Sequence, residues 1–432
     1  MHRALPFFVL LVAAPLLVWA APGAPLGAVV PVGEGQCPSV ARTAAGDMVV
    51  AWKSPDGIAV RRFDAAGAPL GATHHAPVSE DLSALFCPQV SINGSGAAVA
   101  VWVERLLVRT APLQSTRVHK LYAQRFAPSG APAGVATEVL SRTDSSSALL
   151  QRRFEIGGPE VAIGDDGGYA ITWNTIRTDI SPVPLPLNPF FPTPAEIDTN
   201  RIRHQAFDAD GTSRSMARTA ETVTATGADL GLNSIGSRRP EVAMSADGQY
   251  VVAWDDNPRD RRIKAQRYRA DGKAMALPFR ADPILSSARQ SSPAIALNED
   301  GELFIAWQSL PNTSGEEATS RIRISAFGSD GRRADPLFTA NRQSGPSQAP
   351  RIVVDAQGRL AAAWTEVDSG NQPARAVARY LTADGSPLSP IFPIAARVRA
   401  DDIAVDGRGQ LVGVWSEDFE IRLQRFEGPD GP

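Results

Sequence analysis

The feature that most constrains this chain is a proline-to-glycine motif that recurs seven times. In the copy from Pro240 to Gly272, two apolar segments joined by a glycine turn end at Trp254, and a further segment ends at Tyr268. In six copies a proline lies 14 residues before a tryptophan, and the seventh copy has Asp401 in the proline position before Trp415. Such repetition indicates one structural unit per copy, stacked on its neighbours.

Each copy predicts four strands. In the fourth copy they are residues 241–244, 250–254, 263–268 and 276–279, and both faces of the second strand are apolar. A strand that is apolar on both faces is covered on both sides, which fits a sheet stacked between two others. We predict an all-β fold, a seven-bladed β-propeller of four-stranded antiparallel blades, as a single domain over residues 21–432. The predicted blade cores lie near 38–67, 88–130, 159–211, 240–272, 293–331, 350–385 and 401–431.

The two ends of the chain predict how the ring closes. Gly23–Ala28 repeats the sequence of Gly67–Ala72, which begins the fourth strand of the first blade. The last copy ends at Gly431 and Pro432 with no fourth strand of its own. Residues 23–32 are therefore predicted to supply the outer strand of the last blade, which leaves no unpaired sheet edge there.

Residues 1–20 resemble a secretory signal peptide. His2 and Arg3 form a basic start, Leu5–Val18 is apolar, and Val18 to Ala20 offers small residues for cleavage. This predicts a periplasmic or secreted protein with no membrane span after signal cleavage.

The two cysteines occupy equivalent places. Cys37 and Cys87 each precede the first-strand proline of adjacent blades. An exported protein meets an oxidising compartment, so we predict a disulfide between them.

The composition and the absence of known motifs exclude several classes of function. The formal net charge of −3 gives no basic face for nucleic acid. The sequence contains no Walker loop, Rossmann fingerprint, H-E-x-x-H or G-x-S-x-G motif. We predict no cofactor, no metal, no nucleic-acid partner, no catalytic residues that a motif identifies, and a monomer.

The residues that follow the first-strand prolines are expected to ring one mouth of the central channel. Among them Glu160, Glu241 and Asp402 supply carboxylates around Arg351. Three carboxylates facing one arginine can bind a cation or a sugar, or can form a solvated ring of ion pairs.

The connections between strands differ in length on the two faces of the predicted ring. The loops after the second and fourth strands are long in blades 2 to 4, and variable loops on a rigid scaffold commonly carry function. The insert Ser181–Pro194 is rich in proline, which predicts an extended, polyproline-like path. The candidate binding residues on this face are Arg105, Arg109, Arg117, Arg152, Arg153, Arg177, Phe190, Phe191, Arg238 and Arg239.

The unit P-x-V-A…D-G-x-x-V-V-A-W…Q-R-F…D-G resembles the tandem repeats of exported bacterial β-propeller proteins. The resemblance covers almost all of the mature chain and implies the fold and export. It carries no catalytic residues to transfer. The chain lacks the S-x-D-x-G-x-x-W box of sialidase-type propellers.

Two functions are compatible with these observations. The leading prediction is an exported, non-enzymatic propeller that binds a protein or glycan, in the cell envelope or outside the cell, through the long loops of blades 2 to 4. The alternative is a polysaccharide-acting enzyme, a glycosidase or lyase, with a carboxylate site on the same face, since glycoside hydrolysis requires a pair of carboxyl groups.

Deleting residues 23–32 tests the predicted closing strand. The deletion would expose an unpaired edge of the last blade, so we expect a melting temperature lower by many degrees and a tendency to associate. Calorimetry and size-exclusion chromatography measure both. A truncated chain that is as stable and monomeric as the parent would contradict the predicted closure.

Overall fold

The computed structural model describes residues 20–111, 114–146, 151–184, 194–226, 240–256, 262–282, 288–311, 319–334, 337–341, 345–368, 370–399 and 401–431. Over these ranges all regular secondary structure is β-strand. None of the described segments forms a helix long and apolar enough to cross a membrane. The predicted signal peptide, residues 1–20, lies outside the described residues except for Ala20.

The described strands form seven antiparallel sheets, which we number in chain order. Strand β1 (Pro25–Glu34) precedes the first of them. Sheet 1 contains β2 (Gln36–Arg42), β3 (Met48–Ser54), β4 (Gly57–Phe63) and β5 (Pro69–Ala76). Sheet 2 contains β6 (Leu82–Leu85), β7 (Gln89–Ile92), β8 (Ala98–Ala111), β9 (Gln114–Phe126) and β10 (Thr137–Thr143). Sheet 3 contains β11 (Ser145–Ser146), β12 (Gln151–Ile163), β13 (Tyr169–Pro184), β14 (Pro194–Phe207) and β15 (Arg218–Thr226).

The remaining sheets repeat the four-stranded plan. Sheet 4 contains β16 (Glu241–Met244), β17 (Tyr250–Asp255), β18 (Ile263–Tyr268) and β19 (Phe279–Arg280). Sheet 5 contains β20 (Arg289–Leu297), β21 (Leu303–Leu310), β22 (Arg321–Phe327) and β23 (Phe338–Thr339). Sheet 6 contains β24 (Ser347–Val354), β25 (Leu360–Val367), β26 (Pro373–Leu381) and β27 (Phe392–Ala396). Sheet 7 contains β28 (Asp402–Val405), β29 (Leu411–Glu417) and β30 (Glu420–Phe426), and β1 pairs with β30 as its fourth strand.

Sheet 4 shows why the motif folds locally as it does. The turns that join its strands place Gly248 and Gly272 at φ of 80° and 77°, a backbone region that glycine adopts without strain. Its first three strands match the predicted ranges to within one residue. The fourth starts at Phe279, later than predicted, because Ala274 forms only an isolated bridge with Tyr268.

The motif tryptophans hold neighbouring sheets together. All seven are at most 3% exposed, and each packs into a hydrophobic cluster that it shares with the preceding sheet. Trp52 of sheet 1, for example, packs in one cluster with Val412, Val414 and Leu423 of sheet 7. An aromatic side chain that buries roughly 150–250 Å² gains about 4–6 kcal/mol at the usual coefficient, an upper bound.

Arginines of the third strands add polar contacts between sheets. The Arg425 guanidinium of sheet 7 donates to the Ala65 carbonyl of sheet 1 at 3.0 Å, and Arg125 of sheet 2 donates to the Ala209 carbonyl of sheet 3 at 2.7 Å. Each acceptor lies in a turn of the following sheet, so these side chains fix how successive sheets are spaced.

The long second-to-third connections of blades 2 and 3 were predicted as loops, and this is wrong for most of their length. Strands β8 and β9 remain paired out to Ala111 and Gln114. Strands β13 and β14 pair out to Pro184 and Pro194, so the ends of the insert 181–194 form strand instead of a polyproline-like path. The reason is that each segment finds its backbone partners in the other arm of the same hairpin. Residues 185–193 of the insert lie outside the described residues.

The predicted disulfide is confirmed. Cys37 and Cys87 are bonded, and their Cα atoms are 5.3 Å apart. The bond joins the start of β2 in sheet 1 to the residue two places before β7 in sheet 2, across 50 residues. On the chain-entropy model a loop of that length stabilises the fold by ~4 kcal/mol.

A buried histidine lies between sheets 3 and 4. His204 on β14 is 1% exposed, its Nδ1 is 2.8 Å from the Tyr250 hydroxyl, and its ring centroid is 4.0 Å from that of Tyr268. Burial, with smaller effects of the Arg218 and Arg203 charges, lowers the pKa of His204 to about 3. The native protein therefore holds this ring neutral where an exposed histidine would be charged.

We expect His204 to make stability depend on pH. The unfolded chain protonates this ring near its ordinary pKa of 6.5, and the folded chain only as the pH approaches about 3. The contribution of His204 to the free energy of unfolding is thus complete above pH 6.5. It is lost as the pH falls, by about 2 kcal/mol between pH 7 and pH 5. In His204→Asn, which retains a polar partner for Tyr250, urea unfolding should show a correspondingly smaller difference between these two pH values. An unchanged difference would contradict the assignment.

Candidate functional site

In each sheet, one strand carries the residue that follows the motif proline (or Asp401 in the last copy), and these seven strands lie next to one another. These strands are β2, β7, β12, β16, β20, β24 and β28, and consecutive members contact one another, with β28 also contacting β2. The residues concerned are Ser39, Gln89, Glu160, Glu241, Ala294, Arg351 and Asp402. Their strands meet side by side, so charges that are distant in the sequence act on each other.

Arg351 is the positive centre of this group. Burial lowers the pKa of its guanidinium, but the carboxylates of Glu241, Asp402, Glu160 and Asp401 outweigh burial and raise that pKa above its usual value. Its Nε lies 3.7 Å from Asp402 Oδ1 and donates to the Asp401 carbonyl at 3.1 Å. Four carboxylates from three sheets thus act on one cation.

Asp402 is held by donors from two strands. Its Oδ2 accepts from Ser39 Oγ at 2.9 Å and from the Val40 backbone N–H at 3.0 Å, and its Oδ1 accepts from the Ile403 N–H. Burial raises the pKa of Asp402 above its ordinary value, although Arg351 and these donors oppose the rise. The carboxyl group is therefore fixed in direction and protonates more readily than an exposed aspartate.

Asp401 stands where the other copies of the motif have proline. Its Oδ2 accepts hydrogen bonds from the Ser416 N–H at 2.9 Å and from Ser416 Oγ at 3.1 Å. Burial raises the pKa of Asp401 as well. In the sequence Asp401 stands out only as a replacement for proline, and it was not predicted as a site residue. The substitution in an otherwise regular position was the available signal.

The pair at the centre remains in contact with solvent. The side chains of Arg351 and Asp402 are 25% and 20% exposed although protein surrounds both. Carboxyl groups in such a setting can exchange protons with solvent and can hydrogen-bond a sugar. Within the ranges that the structure covers, no three His, Cys, Asp or Glu side chains are arranged to hold a metal ion.

The arginines predicted as binding residues lie mainly on the extended hairpins, and several have carboxylate partners. Arg117 lies 3.1 Å from Asp144, and Arg152 and Arg177 both bind Asp179. Burial tends to raise the pKa of Asp179, but the two arginines lower it overall. These arginines therefore bind structural partners within sheets 2 and 3.

The other predicted binding residues are not gathered into one site. Arg105 is half-buried on β8, while Arg109 on the same strand and Arg153 on β12 are exposed. The last four, Phe190, Phe191, Arg238 and Arg239, lie outside the described residues.

Several solved structures are similar to this chain. No protein-family model and no curated protein matches the chain. Among solved structures it is similar to the polysaccharide lyase Uly1, with a TM-score of 0.47 and 11% identity over 96% of this chain and 94% of that one. It is also similar to the Penicillium chrysogenum alpha-L-arabinanase complexed with arabinobiose, with a TM-score of 0.45, 12% identity, and coverage of 82% and 96%. A third, the Dos1 propeller, has a TM-score of 0.41, 6% identity, and coverage of 94% for both chains. The chain is an all-β protein with a β-propeller fold.

The leading functional prediction does not survive this comparison. It described a non-enzymatic propeller that binds a partner through the long loops of blades 2 to 4. The solved structures that the chain is similar to include a polysaccharide lyase and an arabinanase, so the findings favour the alternative, a polysaccharide-acting enzyme, over that prediction.

Arg351→Met tests the electrostatics of the site. Without the guanidinium, four carboxylates remain close together, so we expect a loss on the order of 2 kcal/mol of stability at pH 7, discounted for partial exposure. Protonation relieves the repulsion, so the loss should shrink as the pH falls from 7 to 4. Chemical denaturation at both pH values measures it, with Arg351→Lys as the charge-preserving control. A loss that is equal at both values would show that packing alone is affected.

Proposed function

We propose that this chain is an exported, closed seven-bladed β-propeller that cleaves a polysaccharide at the mouth of its central channel. The observation that carries the proposal is the convergence of Glu160, Glu241, Asp401 and Asp402 on Arg351. Glycosidases cleave their substrates with a pair of carboxyl groups, one protonated and one ionised, and neighbouring acids in different environments supply such a pair.

Three contacts support the closed ring. Strand β1 pairs with β30 from Pro25–Phe426 to Glu34–Glu420. Strand β28 contacts β2, and Trp52 shares a hydrophobic cluster with sheet 7. A ring of seven sheets with one shared cluster at each junction accounts for all three.

Export is supported by the disulfide and by the signal-like residues 1–20. A bond between Cys37 and Cys87 persists in an oxidising compartment, the periplasm or the outside of the cell. A polysaccharide substrate is available in both.

The roles follow from the environments of the carboxyl groups. Asp401, whose pKa is raised by burial, is the proton donor to the glycosidic oxygen. Glu241, which acts on Arg351 most strongly of the four carboxylates, takes a proton from the attacking water while the water oxygen bonds to the anomeric carbon and the glycosidic bond breaks. Asp402 orients Arg351, whose guanidinium binds hydroxyl groups of the sugar.

Activity assays on a panel of neutral and acidic polysaccharides test the proposal. New reducing ends report hydrolysis, and ultraviolet absorbance of an unsaturated product reports a lyase. We expect Glu241→Gln and Asp401→Asn each to reduce turnover by about 10²-fold or more with little change in melting.

The matched control is Glu299→Gln, which changes an exposed carboxylate in the turn between the first two strands of sheet 5. It should retain full activity. Absence of cleavage across the panel, or cleavage that survives both site variants, would overturn the proposed function.

A further inference from the structure

The junction between sheets 2 and 3, called the groove below, contains positive charge without matching carboxylates. Arg142 on β10, and Arg201 and Arg203 on β14, are half-buried there. Within the described part of the chain, none of the three forms an ion pair, unlike Arg117, Arg152 and Arg177 nearby. Arg201 and Arg203 are two residues apart on β14, so their side chains lie on the same face of sheet 3. Burial lowers the pKa of Arg203, and the charges of Arg142 and Arg201 lower it further.

Two buried donors in this groove have no acceptor among the described residues. They are the indole N–H of Trp173, which is 1% exposed, and the Nε–H of Arg203. Trp173 and Arg203 are directly opposite each other on β13 and β14, so their side chains lie on the same face of sheet 3. Leaving a buried donor without an acceptor costs about 1–3 kcal/mol, so the groove favours a group that only accepts.

The junction between sheets 3 and 4 shows which group accepts from the equivalent tryptophan there. Between sheets 3 and 4, Trp254 is opposite Lys264, as Trp173 is opposite Arg203. There the carboxylate of Glu221 accepts from the Trp254 indole at 2.6 Å and from Lys264 Nζ at 2.8 Å. One carboxylate from the preceding sheet satisfies both donors.

Sheet 2 does not supply that carboxylate. Glu221 lies on the outer strand of sheet 3 opposite Ile202, and the equivalent residue on the outer strand of sheet 2 is Leu140, opposite Leu121. The junction of sheets 2 and 3 thus combines a tryptophan, a cross-strand cation and two further arginines with an apolar side chain where its neighbour has an acid.

We propose that this groove binds an oxyanion group, a carboxylate or sulfate, between the guanidinium groups of Arg142, Arg201 and Arg203 and the Trp173 indole. Planar guanidinium groups bind the oxygens of such groups with two parallel hydrogen bonds, and the buried N–H donors complete the set. The site is separate from the carboxylate cluster at the channel mouth and does not depend on its activity. The oxyanion is either a free inorganic ion or a group on an acidic polysaccharide.

Calorimetric titration with sodium sulfate, against sodium chloride at equal ionic strength, is the primary test. We expect saturable binding of sulfate by the full chain and at least a tenfold weaker affinity in Arg142→Gln/Arg201→Gln. A second titration compares a polyuronate with an uncharged glucan. Polyuronate binding that sulfate displaces identifies the polymer as the source of the group, and binding of sulfate alone identifies the free ion.

Arg117→Gln is the matched control, because this arginine is on the neighbouring strand β9 but is paired with Asp144. It should leave sulfate affinity unchanged. Absence of saturable sulfate binding, or an equal loss of affinity in the control and the groove variant, would overturn the proposal.

Leu140→Glu gives an independent test that does not remove an arginine. It places a carboxylate where Glu221 stands at the next junction, so this side chain should occupy the oxyanion position. We expect sulfate binding to be lost while the melting temperature is maintained or raised. If a folded Leu140→Glu protein binds sulfate as tightly as the parent, the oxyanion does not bind at this place. If the variant does not fold, the arginine variants decide alone.

Discussion

The structure depends on one packing interaction that is repeated at every junction. A tryptophan at the end of the second strand of each sheet packs into the sheet before it, and all seven such side chains are nearly inaccessible to solvent. Because each hydrophobic cluster draws on two sheets, no sheet buries its own faces alone. The small residues around these rings, such as Ala51, Ala253 and Ala363, let the sheets approach closely enough for the large side chain to fit.

The same tryptophan creates a polar requirement that, among the described residues, only three of the seven junctions meet, each in a different way. Its indole N–H is carried into the interface and requires an acceptor. Trp52 uses the Glu34 carbonyl of β1, Trp102 uses the Glu104 carboxylate of its own strand, and Trp254 uses Glu221. The apolar packing of the tryptophan is therefore the same at every junction, while the polar groups around its N–H differ. These differences are where individual binding properties can arise on a repeated scaffold.

The cluster around Arg351 illustrates how contacts between sheets place chemistry. Ser39 of sheet 1 accepts from the Val90 N–H of sheet 2 at 3.3 Å and donates to Asp402 of sheet 7. The Cys37–Cys87 bond lies beside this connection and joins sheets 1 and 2. Sheets 1 and 2 thus help to fix the orientation of one carboxyl group of sheet 7, and the cluster around Arg351 forms only when several sheets meet. Such preorganisation by surrounding elements is what a site that transfers protons requires.

The sequence by itself determined the repeated unit and its strand order, because these follow from local signals, and it determined the cysteine pair because both cysteines hold the same place in adjacent repeats. Glycine turns, alternating apolar residues and a fixed distance from Pro240 to Trp254 act within a few residues of each other. Tertiary structure decided what depends on neighbours. Segments such as 103–111 became strand because their backbone groups found partners in the other arm of the hairpin. Asp401 joined the site through contacts with Ser416 and Arg351, and the unpaired charges of Arg142 and Arg203 became evident only when sheets 2 and 3 packed together. Charge and solvation depend on what surrounds a group in space, and the local pattern of a sequence does not contain that information.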